Sequence, residues 1–418
     1  MTLKSITSLK NVLVAILLTS SINTFAGSIP VHKMINELTG VDVGTLTLGG
    51  CIRANYVLGD YPEDGTGKTK RRGDDGSFEF DVFRINVDWQ KEDWLGKAEY
   101  RWYDGYSFFH TAWLGYNLDE NSQIQVGLNR VPFGVGAYGP ANSWFFDQHY
   151  YVGLSDDMDM GVKYSHSAGN LKLDLAYYVR SEPNGVGSNA ETEPWTEDSA
   201  RYSYDIVDTG DDNSHYRERN QCNARLIGTV FTNAIPTELG ISLQVGQLLA
   251  GNSSTADDTI GYAVSVHSSS TLGPWNLKLQ FTNYDYRPDY NDPTQSDDLI
   301  HMGAYNYHDA VAASGMIPAA ALSYTVKPAV EWIDSITFYN DFSVILKDGK
   351  DNEGNHLNDS TMNVTGAAIA SGGWYIQIDY AYANGNYFVG GDGSYDDFGS
   401  NQTDDWEGRF NVNLGYYF

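Results

Sequence analysis

Charged residues at alternate positions are the first feature of this chain with chemical consequence. Arg53, Arg84, Lys97, Arg101, Lys163 and Arg409 each stand in a segment where polar and apolar residues alternate, and each falls on the polar phase. Arginine keeps its charge and offers a planar fork to anions. Such cations on one surface would guide anions along it. Arg130 falls on the apolar phase with Leu128 and joins the set only if its segment breaks phase before Pro132. The stretch Pro132–Asp159 adds Asp147, Asp156, Asp157 and Asp159, and the aromatic run Trp144, Phe145 and Phe146. A basic wall facing an acidic loop would set a transverse field across a narrow space and favour small polar solutes. The plainer alternative pairs each cation with Asp81, Asp88, Glu99, Asp174 or Glu407 as polar filling. The aromatic run offers flat faces to sugar rings, or packs inward. Arg225, Lys172, Lys278 and Lys347 are scattered, with Asp341 and Asp379 between them.

Other chemistries find less support. The nine His are dispersed, and neither His-Glu-x-x-His nor Gly-x-Ser-x-Gly occurs, so no enzyme activity is expected. Gly390-Gly-Asp-Gly393 reads as a flexible turn. A formal net charge of −28 argues against nucleic acid as a partner. The acids Asp208, Asp211 and Asp212, Asp257 and Asp258, Asp297 and Asp298, and Asp396, Asp397, Asp404 and Asp405 read as a solvated rim, with divalent cations shared with lipopolysaccharide as the other use. No resident metal and no cofactor is expected. Cys51 and Cys222 are too few for a disulfide framework and read as unpaired thiols.

The elements that must position these residues are strands. In the last thirteen residues, Trp406, Gly408, Phe410, Val412, Leu414, Tyr416 and Phe418 share one face, and Glu407, Arg409, Asn411, Asn413 and Tyr417 the other. A greasy face with aromatics at both ends suits a strand turned to lipid. About sixteen such segments recur after Val43, and 30 Tyr and 43 Gly suit interfacial belts and tight turns. Their connections alternate long and short. Long ones lie near Gly59–Gly76, Pro132–Asp159, Ser181–Glu218 and Arg287–Ile317; short ones lie at Glu92–Trp94, Ala168–Gly169 and Ser371–Gly372. This phase predicts an all-β, closed antiparallel transmembrane barrel with long extracellular loops and short periplasmic turns. Residues 1–26 read as a signal peptide: Lys4 and Lys10, an apolar core from Val12 to Leu18, then Thr24-Phe25-Ala26. Residues 27–43 read as a periplasmic lead-in, and 44–418 as the barrel with a constriction loop at 132–159.

Three patches carry a family likeness. Val126-Gly-Leu-Asn-Arg-Val-Pro-Phe-Gly134, Asp157-Met-Asp-Met-Gly-Val162 and Trp332-Ile-Asp-Ser-Ile-Thr-Phe-Tyr-Asn-Asp-Phe-Ser343 resemble the phosphate-selective porin O/P family. The resemblance implies a sixteen-stranded homotrimeric channel whose inward arginines and lysines guide anions. The expectation is therefore a porin in the outer membrane of a Gram-negative bacterium. Its partners would be the lipid bilayer, lipopolysaccharide, and small hydrophilic solutes or inorganic ions. The rivals are a surface barrel for adhesion or partner binding and an outer-membrane hydrolase.

Overall fold

The structure is a computed structural model that describes residues 29–60, 76–187, 201–207, 216–251, 255–305, 307–386, 388–389 and 406–418. The expected signal peptide, the turn Gly390–Gly393 and the acids Asp208, Asp211, Asp212, Asp396, Asp397, Asp404 and Asp405 lie outside them.

Alternation of apolar and polar residues gives long strands that cannot bury their greasy face against one another, so they close into a ring. Among the described residues sixteen strands form it: β1 (Thr45–Gly59), β2 (Ser77–Lys91), β3 (Trp94–Trp102), β4 (Ser107–Asn117), β5 (Ser122–Arg130), β6 (Met158–Ala168), β7 (Leu171–Ser181), β8 (Tyr216–Val230), β9 (Thr237–Ala250), β10 (Thr259–Leu272), β11 (Trp275–Asp285), β12 (Ser314–Val326), β13 (Ser335–Lys347), β14 (Ser360–Ser371), β15 (Trp374–Asn384) and β16 (Glu407–Tyr417). Each pairs antiparallel with its chain neighbours, and β16 returns to β1 with Cys51 opposite Tyr417 and Gly59 opposite Arg409. Closure leaves no free edge, the condition for β-structure in lipid.

The outer face is apolar and exposed. Leu239, Ile241 and Leu243 of β9, Leu277, Leu279 and Phe281 of β11, and Phe338 and Phe342 of β13 all stand out from it. Aromatic pairs mark both rims, as lipid–water interfaces require. At the short-turn rim, Trp94 faces Tyr116, Trp275 faces Tyr324 and Trp374 faces Tyr416, with ring centroids 4.9, 4.6 and 5.1 Å apart. Toward the long-loop rim, Tyr100 meets Phe109 edge-on at 4.8 Å and Tyr382 stacks with Trp406 at 5.0 Å. Cys51 is buried, Cys222 is exposed, and both are free thiols.

Ahead of the barrel, Ile29–Pro30 pairs with β1, and α1 (His32–Thr39) follows. Trp89 Nε1 donates to the Val43 carbonyl at 2.7 Å and Lys91 Nζ to that of Asp42 at 2.7 Å, tying this lead to β2. At the long-loop rim, Arg201–Ile206 pairs with Leu299–Tyr305, which turns back as Tyr307–Ala312. This small three-stranded cap is made from two connections whose composition read as solvated acidic loops. Its apolar residues Tyr204, Ile206, Ile300 and Met302 are buried in one cluster with Phe145, Tyr150 and Val152.

Candidate functional site: the lumen and its constriction

Segment 131–157 leaves β5 and re-enters at β6, with the Val131 amide donating to the Asp157 carbonyl at 2.9 Å across its neck. From there it lies inside the barrel along the inner faces of β9 to β15. The Gly134 amide donates to Ser242 Oγ at 3.1 Å, and the Val135 amide to Gln280 Oε1 at 2.9 Å. Asp341 Oδ2 accepts from the amides of Asn142 (2.7 Å) and Ser143 (2.8 Å), and Oδ1 from Asn142 Nδ2 (2.8 Å). Asp379 Oδ2 accepts from the Trp144 amide at 3.3 Å, and Ser343 Oγ from the Gln148 amide at 3.1 Å. Inward polar residues of the wall thus satisfy backbone donors that a buried loop would otherwise leave unpaired.

Gly134 sits at φ +62°, and a Cβ there would lie 2.5 Å from Gln280 Nε2, so only glycine allows this approach. At the far end, His149 Nε2 lies 2.8 Å from Thr282 Oγ1, while its Nδ1 lies 3.0 Å from Asp147 Oδ1. The hydroxyl–imidazole–carboxylate order is that of an activated nucleophile. Here all three side chains are buried. The arrangement acts as a strut that holds the segment to β11.

The cations divide by what covers them. Arg53 Nε pairs with Asp81 Oδ2 at 2.9 Å, Arg84 Nη1 with Glu99 Oε1 at 3.3 Å and Lys97 Nζ with Asp88 Oδ1 at 3.4 Å, all partly exposed on the inner wall of β1 to β3. Arg101 also pairs with Glu99, at 2.7 Å, but Tyr202 of the cap stacks over its guanidinium at 4.4 Å and it is buried. Arg409 is buried beneath Trp144 and Phe145, whose ring centroids lie 5.1 and 5.0 Å from its Cζ. The expectation that Arg101 and Arg409 line an open lumen is therefore corrected. Guanidinium faces stack on aromatic rings, and the infolded segments bring such rings to them.

The acids are corrected too. Of the four expected to face the basic wall, Asp156 does so, pairing with Arg130 Nη2 at 2.6 Å. Asp147 is enclosed with His149, and Asp157 and Asp159 are buried beside Asp205. Of the aromatic run, Phe145 is buried, Phe146 stacks on Tyr150 at 4.6 Å, and the partly buried Trp144 lies over Arg409.

Arg130 itself points into the lumen. Gly127, at φ +127°, marks the irregularity in β5. Val126 before it is exposed on the outer face, whereas Leu128 after it is buried with Phe108 and Tyr202. Beneath the segment lies a cavity of about 660 Å³ bounded by β4 to β8, reaching the short turn at Asp119–Ser122. Arg130, Lys163, Lys172 and Arg225 line it, with Asp174 among them and Asp119 and Glu120 at its short-turn end. Arg225 Nη2 pairs with Asp174 at 2.8 Å, and Lys163 Nζ donates to the Arg130 carbonyl at 2.8 Å, with no ion pair of its own among the described residues. In the sequence Lys172 and Arg225 stand as scattered cations, because their grouping with Arg130 depends on neighbouring strands rather than on spacing in the chain.

The architecture matches solved outer-membrane proteins. The in-vitro folded OmpT of Vibrio cholerae, an outer membrane protein in trimer form, has a TM-score of 0.55 at 15% identity and covers 90% of this chain and 100% of its own. The outer membrane channel DcaP of Acinetobacter baumannii has a TM-score of 0.54 at 13% identity, covering 90% and 99%. OmpF of Salmonella typhi, in complex with daunomycin, has a TM-score of 0.55 at 11% identity, covering 90% and 98%. No family model and no curated relative matches the chain. At these identities the likeness concerns the fold. The chain is a closed sixteen-stranded antiparallel transmembrane barrel of the kind found in outer membranes. Among the described residues, segment 131–157 folds into its lumen and the cap packs on that segment at the long-loop rim.

Proposed function

We propose that the protein is an outer-membrane porin, a passive diffusion channel for small hydrophilic solutes and inorganic ions with a preference for anions. The observation that carries this reading is the 660 Å³ cavity, in whose interior Arg130, Lys163, Lys172 and Arg225 stand against Asp174, with Asp119 and Glu120 at the short-turn end. A low-dielectric wall concentrates such a field, so anions entering from the short-turn side meet a favourable potential. Selection would come from the width left beside segment 131–157 and from this charge, without catalysis. The mature chain would begin after a signal peptide at 1–26, assemble as a homotrimer, and sit among lipopolysaccharide. The V. cholerae OmpT structure, a trimer form, supports the assembly, and the motif patches support kinship with phosphate-selective porins.

Solute uptake tests the reading. Proteoliposomes carrying the protein should swell in isotonic solutions of small sugars and, faster, of small dianions; a cationic solute of equal size should enter more slowly. The packed core that joins the cap to segment 131–157 favours a second reading, a closed barrel whose outer loops bind a partner. That reading predicts no swelling with any solute.

A further inference from the structure

Away from the basic cavity, carboxylates from four stretches of chain meet beneath the cap. Asp157 ends the constriction segment, Asp159 lies in β6, Asp205 belongs to the cap strand Arg201–Ile206, and Glu182 follows β7. Oxygens of Asp157, Asp159 and Asp205 lie within 4.8 Å of one another. Their residues are 5%, 1% and 1% exposed. A second observation points the same way. Glu182, 2% exposed, uses Oε1 to accept from the amides of Tyr202 (3.1 Å) and Ser203 (2.7 Å). Among the described residues its Oε2 has no N–H or hydroxyl donor, and its carboxyl group meets that of Asp205 within hydrogen-bonding range. Among the described residues Asp157 Oδ1 and Asp159 Oδ1 also lack donors. Donors that reach the group include the Ser203 side chain at Asp157, Gln221 Nε2, 3.0 Å from Asp159 Oδ2, and Arg201 Nη1, 3.4 Å from Asp205 Oδ2.

Buried oxygens that face one another without a donor need a proton or a metal ion between them. We propose that Asp157, Asp159 and Asp205 bind a structural divalent cation, calcium by preference, that ties the cap strand to the end of the constriction segment, with Glu182 Oε2 as a further ligand. The donor set is all oxygen, with no imidazole or thiolate, which suits a hard cation. Magnesium demands a near-octahedral shell and keeps several of its waters, whereas calcium accepts flexible cages of protein carboxylates, so a buried site of this kind suits calcium. Asp157 and Asp159 are neighbours in the chain and Asp205 comes from the cap, so one ion would fasten the cap strand to the end of the constriction segment at a single point. Burial, and then the neighbouring carboxylates, hold the Asp157 acid well above the usual range, which an ion would reverse.

The test is calcium binding by the purified full-length protein in detergent, stripped with EDTA, desalted and titrated with calcium chloride in a calorimeter. One stoichiometric site per chain is expected, weakened at least tenfold in Asp159→Asn and in Asp205→Asn. Folding of each variant is checked by its heat-modifiable migration. Absence of a stoichiometric site overturns the proposal. Binding retained in both variants also overturns it, because it then belongs to surface acids. The wild-type protein supplies an independent measurement should a variant not fold. Calcium should raise the temperature at which the folded form is lost, more than equimolar magnesium does; no shift with calcium contradicts the proposal.

Discussion

Asp341 faces a polar lumen, and its two oxygens are committed to segment 131–157 by three hydrogen bonds of 2.7 to 2.8 Å. Bonds to a charged acceptor are each worth about 1.5–3 kcal/mol. Asp341→Ala should therefore free the Asn142–Ser143 stretch and raise both channel conductance and current noise; a current indistinguishable from wild type would mean the segment is held elsewhere. The acids beneath the cap make a pH prediction at the same scale. Burial is the main cause that keeps Asp157, Glu182 and Asp205 protonated well above the usual carboxylate range. Without metal the folded state thus binds more protons than the unfolded one. The stability these groups supply is complete below about pH 4 and is lost as pH rises through their folded values. In EDTA the temperature at which the folded form disappears should fall between pH 5 and pH 8. A flat or rising profile would show that these carboxyls ionise freely. Which lumen charges were legible follows from geometry. Parity alone put Arg53, Arg84 and Lys97 on the inner wall, where they are. It carried no information on what would descend over Arg101 and Arg409, since Tyr202 and Trp144 come from distant stretches of the chain.

At the scale of elements, the constriction is fixed by close approach. Gly134→Ala places a Cβ 2.5 Å from Gln280 Nε2 at a φ of +62°. Gly136→Ala meets nothing within 4 Å at a similar φ of +69°. Backbone strain of this kind costs about 1–3 kcal/mol, and only the first substitution adds a clash that also threatens the Gln280 bond to Val135. Comparison of the two by heat-modifiable migration should show the larger loss for Gly134→Ala; equal losses would mean the contact with β11 contributes nothing. The strands themselves were plain in the sequence, because a two-residue period with one lipid-facing side repeats in each. The cap was not. Arg201–Ile206 and Leu299–Tyr305 pair across about a hundred residues, and their acidic surroundings made both read as solvated rim. The reversal at Gly127 was likewise hidden, since glycine contributes no side chain to a pattern of alternation.

For the whole molecule, the outer belt decides residence in lipid. Leu279, midway along β11 and exposed, should tolerate other aliphatic residues, whereas Leu279→Arg should cost about 2–4 kcal/mol if that face meets the bilayer midplane. Folding yield into lipid vesicles measures this, and an unaffected yield would remove the face from the membrane. Barrel closure and rim asymmetry followed from the phase of long and short connections. The sequence placed a constriction loop at 132–159 but carried no sign of the cap; with both packed in place, the open space lies on one side, against β4 to β8. The central claim is that this basic cavity governs which ions pass. The most direct measurement is the reversal potential of single channels in a planar bilayer under a potassium chloride gradient, for the wild type and for Lys163→Glu combined with Lys172→Glu. A potential on the chloride side is expected for the wild type, moving toward the potassium side in the double variant. A wild-type potential already on the potassium side, or one the double variant leaves unchanged, would contradict it.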